Sequence, residues 1–283
     1  MILTFILLAL ALALLSFKKI KLSFVVLVIS GFLAYYHNII EISFIVFVGV
    51  FFLLSLYYKN NKNVFLELLI VAFCLLLFLH FIPGVNNVKI LDKVHASEHS
   101  SAFTLYFSFD KPLGVFLLFL LMPSLFENLN RIKPKLFQAA LLFLSPFLLL
   151  SIPWYLGVIK MEIGFPSWIV YFLFSNLFLV ALVEEAFFRG YLQQRLQGLI
   201  GSVGALLVAS LAFGVAHYKA GILMIIFASL AGLIYGMAWR YSKSLWLSVF
   251  FHYGLNLTHL FFFTYPSYIK WRLFDKIISI KAN

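Results

Sequence analysis

The residues best placed to do chemistry are two adjacent glutamates inside an apolar run. Glu184 and Glu185 lie in the stretch FLVALVEEAFFRGYL, and Arg189 follows four positions after Glu185. Ionisable side chains at membrane depth usually face a protein interior or a wet cavity, and they are functional candidates by default. These three residues are therefore the first candidate site residues.

Helical spacing predicts different roles for the two glutamates. Glu185 and Arg189 are four residues apart, so they share a helix face and can form an ion pair. Glu184 is rotated by about 100° from Glu185, and Phe188 occupies the position four residues after it. We therefore expect Glu185 to be structural and Glu184 to remain available as a base. The alternative is that all three charges only hold helices together, as some buried ion pairs do.

Two later patterns add imidazole and amide groups. The stretch FGVAH places Phe213 four residues before His217, and HYGLN places His252 four residues before Asn256 on one helix face. A turn predicted at the sequence GLIGS puts Glu184 and His217 at similar heights, about 21–23 Å from the turn at 1.5 Å per residue. We therefore expect an acid, two imidazoles and an amide to meet at a common level.

Composition fixes the class of protein that must position these groups. The chain has 283 residues, of which 64% are hydrophobic and only 11% charged, whereas a soluble domain is about one quarter charged. Only helices that satisfy their own backbone, or closed barrels, can span lipid. We predict an all-α, polytopic transmembrane bundle in contact with the lipid bilayer.

The basic residues are distributed as in a membrane protein. The net charge is +11, but the basic residues form short clusters between apolar runs, as the positive-inside rule describes for cytoplasmic loops. We therefore predict no nucleic-acid partner. The clusters fall on one side of the membrane and put the N-terminus outside. The basic tail from residue 268 onward is the exception, and it indicates either a miscounted helix or an interfacial amphipathic helix.

Apolar runs predict about 8–10 membrane helices, by the rule that a span needs about 20 apolar residues. The ten candidate runs are 2–17, 22–37, 41–58, 64–82, 113–127, 136–157, 166–189, 200–217, 221–239 and 244–264. We divide the chain into an N-terminal transmembrane extension, 1–112, and a helical core, 113–283, with the motifs within 165–264. The polar insert 83–112, which contains His95 and His99, is predicted to be an outer surface loop.

The three motifs together resemble one known family. Glu-Glu-x-x-x-Arg, Phe-x-x-x-His and His-x-x-x-Asn occur in this order on successive membrane helices. This ordered set resembles the CPBP family, which comprises CAAX prenyl endopeptidases of the second type and bacterial Abi-type relatives. The resemblance covers about residues 165–264, and it implies an intramembrane endopeptidase with an all-helical core.

The resemblance also implies a role for each motif residue. Glu184 would be the general base, and His217 would hold and activate the attacking water. His252 and Asn256 would stabilise the tetrahedral oxyanion, with the glutamate–arginine ion pair supporting the site. These roles agree with the needs of peptide hydrolysis, which are an activated water and donors aimed at the developing oxyanion.

Two mechanisms remain open at this point. Glu184, His217 and His252 have the donor types of a zinc site with two histidines and one glutamate, and His259, seven residues after His252, is a further candidate ligand. Against zinc, the chain has no H-E-x-x-H pair, and asparagine is a poor zinc ligand. We favour the metal-free glutamate mechanism and predict no firm cofactor, and we interpret His259 as a packing residue.

Two other functional classes are alternatives to a protease. The glutamates and histidines are also compatible with a proton relay in a transporter, although no repeat of the kind found in transporters is present. A catalytically inactive bacteriocin-immunity or binding protein is the other alternative. For a protease, the expected substrate is a membrane-embedded or membrane-anchored protein or peptide, such as a C-terminal tail, a sorting tag or a lipidated peptide. The abundance of Phe, Ile, Lys and Asn is typical of AT-rich bacterial genomes, so we expect the bacterial plasma membrane.

Overall fold

The computed structural model describes residues 1–127 and 134–270, and it is a helical bundle. The helices of the N-terminal part are α1 Ile2–Ser16, α2 Ile20–Tyr36, α3 Ile42–Asn60, α4 Val64–Phe78 and α5 Asp110–Leu121. They are followed by α6 Leu136–Tyr155, a long run Ile169–Val215, and two helices, Ile222–Ser242 and Leu245–Phe262. The predicted all-α class is confirmed.

The long run is two helices that fold back on each other. Gly201 breaks it with a φ of 73°, a left-handed conformation that glycine adopts without strain. The two limbs are α7 (169–200) and α8 (202–215). The guanidinium carbon of Arg189 lies 4.6 Å from the ring centre of Phe213, and each is twelve residues from Gly201. The predicted hairpin turn is confirmed. The two helices that follow it are named α9, Ile222–Ser242, and α10, Leu245–Phe262.

The helices have the composition of an integral membrane protein. Among residues 1–127 and 134–270, four helical runs are long and apolar enough to cross a membrane: Ile42–Asn60, Leu136–Tyr155, Ile169–Val215 and Ile222–Ser242. Each of the ten predicted segments contains a helix. However, α5 ends at Leu121, before Pro123, because proline disfavours helix at the preceding residue. Its 12 residues extend about 18 Å, so the number of full crossings stays a prediction.

The outer insert differs from the predicted surface loop, since part of it forms a β-hairpin. Strands β1 Val88–Val94 and β2 Phe103–Phe107 pair antiparallel. Both sequences, VKILDKV and FTLYF, contain β-branched and aromatic residues that favour strands. His95 Nδ1 lies 2.7 Å from the Ser100 carbonyl oxygen, and His99 Nδ1 lies 3.3 Å from a Glu162 carboxylate oxygen. Both histidines therefore have local partners at this end of the bundle.

The apolar core runs without interruption from the N-terminal helices into the motif-bearing ones. Phe78 of α4 and Phe187 of α7 have ring centres 5.0 Å apart, and α5 packs between α4 and α7. The predicted boundary near residue 112 is therefore crossed by extensive contacts, and the division into two parts stays a prediction. The basic residues Arg131 and Lys133, and the tail beyond residue 270, lie outside the described residues.

Candidate active site

Glu185 is the buried anchor of the candidate site. Its side chain is inaccessible to solvent, and its Oε1 accepts hydrogen bonds from Arg189 Nη1 and His252 Nδ1, both at 2.9 Å. Ser248 Oγ donates to Oε2 at 2.6 Å. The ion pair predicted from the i, i+4 spacing is therefore confirmed. Three donors hold this carboxylate in one orientation, and two of them come from α10.

Arg189 ties three helices together at the same level. Its Nη2 donates to the Gly232 carbonyl oxygen of α9 at 2.9 Å, and its guanidinium carbon lies 5.3 Å from the ring centre of Tyr235. A Cβ at Gly232 would lie 3.2 Å from Nη2 and 3.0 Å from Ser210 Cα. Glycine therefore allows the close approach of α8 and α9 that brings the carbonyl within reach. This helix contact resembles the small-residue interfaces of membrane bundles.

Glu184 differs from its neighbour in having an unpaired oxygen. The residue is 9% exposed, and within residues 1–127 and 134–270 its buried Oε2 has no hydrogen-bond partner. Buried polar atoms of native proteins nearly always bond to protein or water. The Oε2 atom is therefore an acceptor left for a water or a substrate, which fits the division of roles predicted from helical spacing. Its role in catalysis stays a prediction.

In both histidines Nδ1 makes a hydrogen bond, while Nε2 has none among the described residues. His252 Nδ1 contacts a carboxylate, and His217 Nδ1 lies 2.8 Å from the Phe213 carbonyl oxygen. Because both partners only accept, each Nδ1 carries the proton and each Nε2 has a lone pair in the neutral ring. His252 is stacked on Tyr235, with ring centres 4.7 Å apart. The hydrogen bond made by Nδ1 therefore sets the tautomer of each ring, as is usual for functional histidines.

Phe213 connects the two imidazoles, and Asn256 lies one turn beyond them. The Phe213 ring centre is 4.9 Å from that of His217 and 5.6 Å from that of His252. Asn256 Nδ2 donates to Asn176 Oδ1 at 3.3 Å. The structure thus brings Glu185, Arg189 and His252 into one cluster, which Phe213 links to His217. Asn256 lies one turn beyond His252 on α10, and Glu184 is the chain neighbour of Glu185. Phe213 itself is a packing residue, since it is 2% exposed.

The metal-dependent alternative with Glu184, His217 and His252 as ligands stays an open prediction. The Nε2 lone pairs of His217 and His252 suit metal ligation, because metal-bound histidines donate their other N–H to carbonyl or carboxylate groups. However, within the part of the chain that the structure describes, no group of three His, Cys, Asp or Glu side chains is arranged to hold a metal. His259 packs against Tyr265, with ring centres 4.9 Å apart, in agreement with its interpretation as a packing residue.

Sequence inspection did not identify four residues of this site. They are Asn176, Gly232, Tyr235 and Ser248. Ser248 had a signal, since it lies four residues before His252 on the same face of α10. Asn176 had a weaker one, as an amide in the apolar run IVYFLFSNLFLVAL. Gly232 and Tyr235 act across a helix interface, which spacing along one helix does not reveal.

The fold and the cluster define a class first: a polytopic, all-α integral membrane protein with an acid–imidazole site enclosed by its helices. Residues 166–258 match the model of the family described as type II CAAX prenyl endopeptidase Rce1-like. This segment contains all six predicted site residues, so the resemblance predicted from the motifs is confirmed there. At the family level, the match is to CAAX-type intramembrane proteases. No curated protein and no solved structure matches the chain.

Proposed function

We propose that this protein is an intramembrane endopeptidase in which Glu184 is the general base. The observation that carries the proposal is the contrast between adjacent carboxylates. Glu185 is held by three donors, whereas the buried Glu184 Oε2 has no partner in the described part of the chain. The supporting observation is the match of this segment to the CAAX-type protease family.

The first step is activation of a water molecule. Glu184 Oε2 accepts one hydrogen of the water, and His217 Nε2 accepts the other, because its Nδ1–H is donated to the Phe213 carbonyl. The water oxygen attacks the carbonyl carbon of the peptide, and Glu184 takes the proton. A positioned carboxylate base of this kind contributes about 10²- to 10⁴-fold to a rate.

The second step is stabilisation and collapse of the tetrahedral intermediate. An N–H of Asn256 donates to the oxyanion. His252 Nε2 also donates when the ring has taken up a second proton from solvent and is an imidazolium. Glu185 then supplies the counter-charge through its contact with His252 Nδ1. The C–N bond breaks, and the proton held by Glu184 passes to the leaving nitrogen. The products are a new carboxyl terminus and a free amine.

The substrate class follows from where the site lies. The helices that carry the site are predominantly apolar, so the substrate is a membrane-embedded or membrane-anchored protein or peptide. C-terminal tails, sorting tags and lipidated peptides meet this requirement. A prenylated CAAX sequence is suggested only by the description of the matched family. The bacterial plasma membrane remains the proposed location, from composition.

A comparison of membrane-protein termini tests this function. Wild type, Glu184→Gln and Glu127→Gln are expressed in the same cells, and new termini are mapped by mass spectrometry. Gln preserves the size of Glu184 and removes the base. Glu127 is the control position, because it is a half-exposed acid that lies six residues after the end of α5 and pairs with Lys18. We expect termini shared by wild type and Glu127→Gln and missing from Glu184→Gln.

The same experiment distinguishes the alternatives. Identical termini in all three samples, with equal amounts of folded protein, contradict the protease. In that case, a change in proton or solute uptake on Glu184→Gln would favour a transporter. Loss of bacteriocin protection without any change of termini would favour an immunity protein.

A further inference from the structure

Asn176 is a buried amide that no step above uses. It lies in α7, eight residues before Glu184, and it is 6% exposed. A buried amide without hydrogen bonds is unfavourable in proteins, so its partner matters. That partner is Asn256 of α10, whose Nδ2 donates to Asn176 Oδ1 at 3.3 Å. The two amides therefore join the helix of the proposed base to the helix of the proposed oxyanion donor.

The backbone around Asn176 is unusual. Residues Ser175–Ala181 are wound as a π-helix, and this stretch packs against α10. π-helical turns are rare and occur often at functional sites. The wider turn changes the direction in which side chains leave α7. The local winding and the amide contact thus coincide at the same helix interface.

The contact determines what Asn256 presents to the site. An asparagine amide rotates over a broad range about its terminal torsion, and it can present either a carbonyl oxygen or an NH₂ group. Only the NH₂ group stabilises an oxyanion, and a carbonyl oxygen would repel it. By accepting one N–H of Asn256, Asn176 fixes the orientation of that amide, and the second N–H takes no part in this contact.

We propose that Asn176 is a positioning residue that presets the Asn256 carboxamide as a donor to the oxyanion. The proposal rests on the proteolytic function proposed above. Preorganised donors stabilise a transition state because they need no reorientation during the reaction. Asn176 acts through Asn256 and does not itself contact the reacting atoms.

The test is a double-mutant cycle with a kinetic readout. The probes are an internally quenched peptide that spans a mapped cleavage site and a quenched farnesylated CAAX peptide. Wild type, Asn176→Leu, Asn256→Ala and the double variant are compared as purified full-length proteins. Thr258→Val is the matched control, since within the described residues the Thr258 hydroxyl bonds inside α10, to the Gly254 carbonyl. Thermal unfolding midpoints are measured on the same samples.

We expect Asn176→Leu to lower kcat by about 10- to 100-fold, less than the about 10²- to 10³-fold effect of losing an oxyanion donor. KM should change by less than about threefold, because ground-state binding is not affected. In the Asn256→Ala background, Asn176→Leu should change kcat by less than about twofold, since coupled residues are not additive. Thr258→Val should retain wild-type kcat.

Three results overturn the proposal. The first is wild-type kcat in Asn176→Leu. The second is a fall in kcat of equal size in the wild-type and Asn256→Ala backgrounds, and the third is a fall in kcat that follows the fall in the unfolding midpoint; either of these identifies a structural amide. If cleavage by Asn256→Ala is too slow to detect, Asn176→Leu is judged alone. A lower kcat with unchanged KM and unfolding midpoint supports the proposal, and any other combination overturns it. Full cleavage by Glu184→Gln contradicts the proteolytic function itself, and this outcome differs from a failure of Asn176 alone.

Discussion

Two buried glutamates pair with arginines of α7, and they differ in what surrounds them. Glu185 pairs with Arg189 inside the candidate site, and Glu67 of α4 pairs with Arg195, six residues further along α7. Beside the first pair stands Glu184, whose Oε2 lacks a partner among the described residues. Beside the second pair no such acid is found in the described chain.

The Glu67 cluster is fully satisfied. Both carboxylate oxygens bond to Arg195, through Nε and Nη2, at 2.8 Å. Tyr58 of α3 and Tyr191 of α7 each donate a hydroxyl to the same carboxylate at 2.8 Å. This network joins α3, α4 and α7, and thus the N-terminal helices to the helix that carries the site. Its geometry is that of a strong bidentate pair.

The difference shows that a buried glutamate–arginine pair does not by itself indicate catalysis. In the Glu67 cluster, every carboxylate oxygen is used to hold helices together. In the candidate site, the Glu185 pair performs the same task, and the neighbouring Glu184 has an Oε2 without a partner among the described residues, which is the atom we propose as the base. The comparison therefore separates a structural acid from a reactive one by hydrogen bonding, and variants can test it.

The largest expected effect is on activity, from Glu184→Gln. Removal of a general base should lower kcat by about 10²- to 10⁴-fold. The unfolding midpoint should stay close to that of wild type, because the lost oxygen has no protein partner in the described structure. Peptide cleavage and thermal unfolding of the purified protein check this. A variant that unfolds easily would contradict the assignment of Glu184 as free.

The next effect is a combined one, from Glu185→Gln. It leaves the fully buried Arg189 without its counter-charge, and breaking a buried pair on one side destabilises by about 3–5 kcal/mol. The same change removes the anion next to His252, so kcat should fall as well. Unfolding and cleavage are measured together, with Ser248→Ala as a milder variant that removes one donor to Glu185 and keeps the charge. Normal stability of Glu185→Gln would show that the ion pair contributes little.

A smaller effect, on stability alone, is expected from Glu67→Gln. The Arg195 side chain is 49% exposed, so water compensates part of the lost charge. We expect a loss of about 1–3 kcal/mol from the weakened hydrogen bonds to a charged group. The kcat of the folded fraction should stay within about threefold of wild type. The hydrogen-bond partners of Glu67 in the described chain are Tyr58, Tyr191 and Arg195, and none of them is a predicted site residue. A specific fall in kcat at unchanged stability would indicate that this cluster aligns the base.

The smallest effect is expected from metal removal. With Glu184 as the base, dialysis against EDTA and treatment with 1,10-phenanthroline should leave the cleavage rate within about twofold of the untreated protein, because no step of a general-base mechanism needs a metal. Loss of activity that zinc restores, while magnesium does not, would favour the metal-dependent alternative formed by Glu184, His217 and His252.

The sequence predicts those parts of the site that depend on spacing within one helix. The Glu185–Arg189 pair follows from the i, i+4 rule, and the hairpin follows from the glycine-rich turn around Gly201. The membrane fold follows from apolar runs of sufficient length. These features are local, so one stretch of sequence contains all the information they need.

The remaining parts depend on contacts between distant residues. The sequence alone indicates only that Glu67 is an acid near a helix end, because its partner Arg195 is 128 residues away. The Gly232 carbonyl and the Asn176 amide likewise act across helix interfaces, which one sequence does not specify. The β-hairpin within 83–112 was missed because polar residues, turns and irregular register interrupt its short strands.

The most direct test compares the same substitution at Glu184 and at Glu67 in one experiment. Glu184→Gln and Glu67→Gln are the same chemical change at two buried carboxylates, and each is measured for kcat on a mapped cleavage peptide and for its unfolding midpoint. We expect Glu184→Gln to lose cleavage and keep its stability, and Glu67→Gln to lose stability and keep cleavage. Retained cleavage in Glu184→Gln, with loss of both properties in Glu67→Gln, would contradict the assignment of Glu184 as the base.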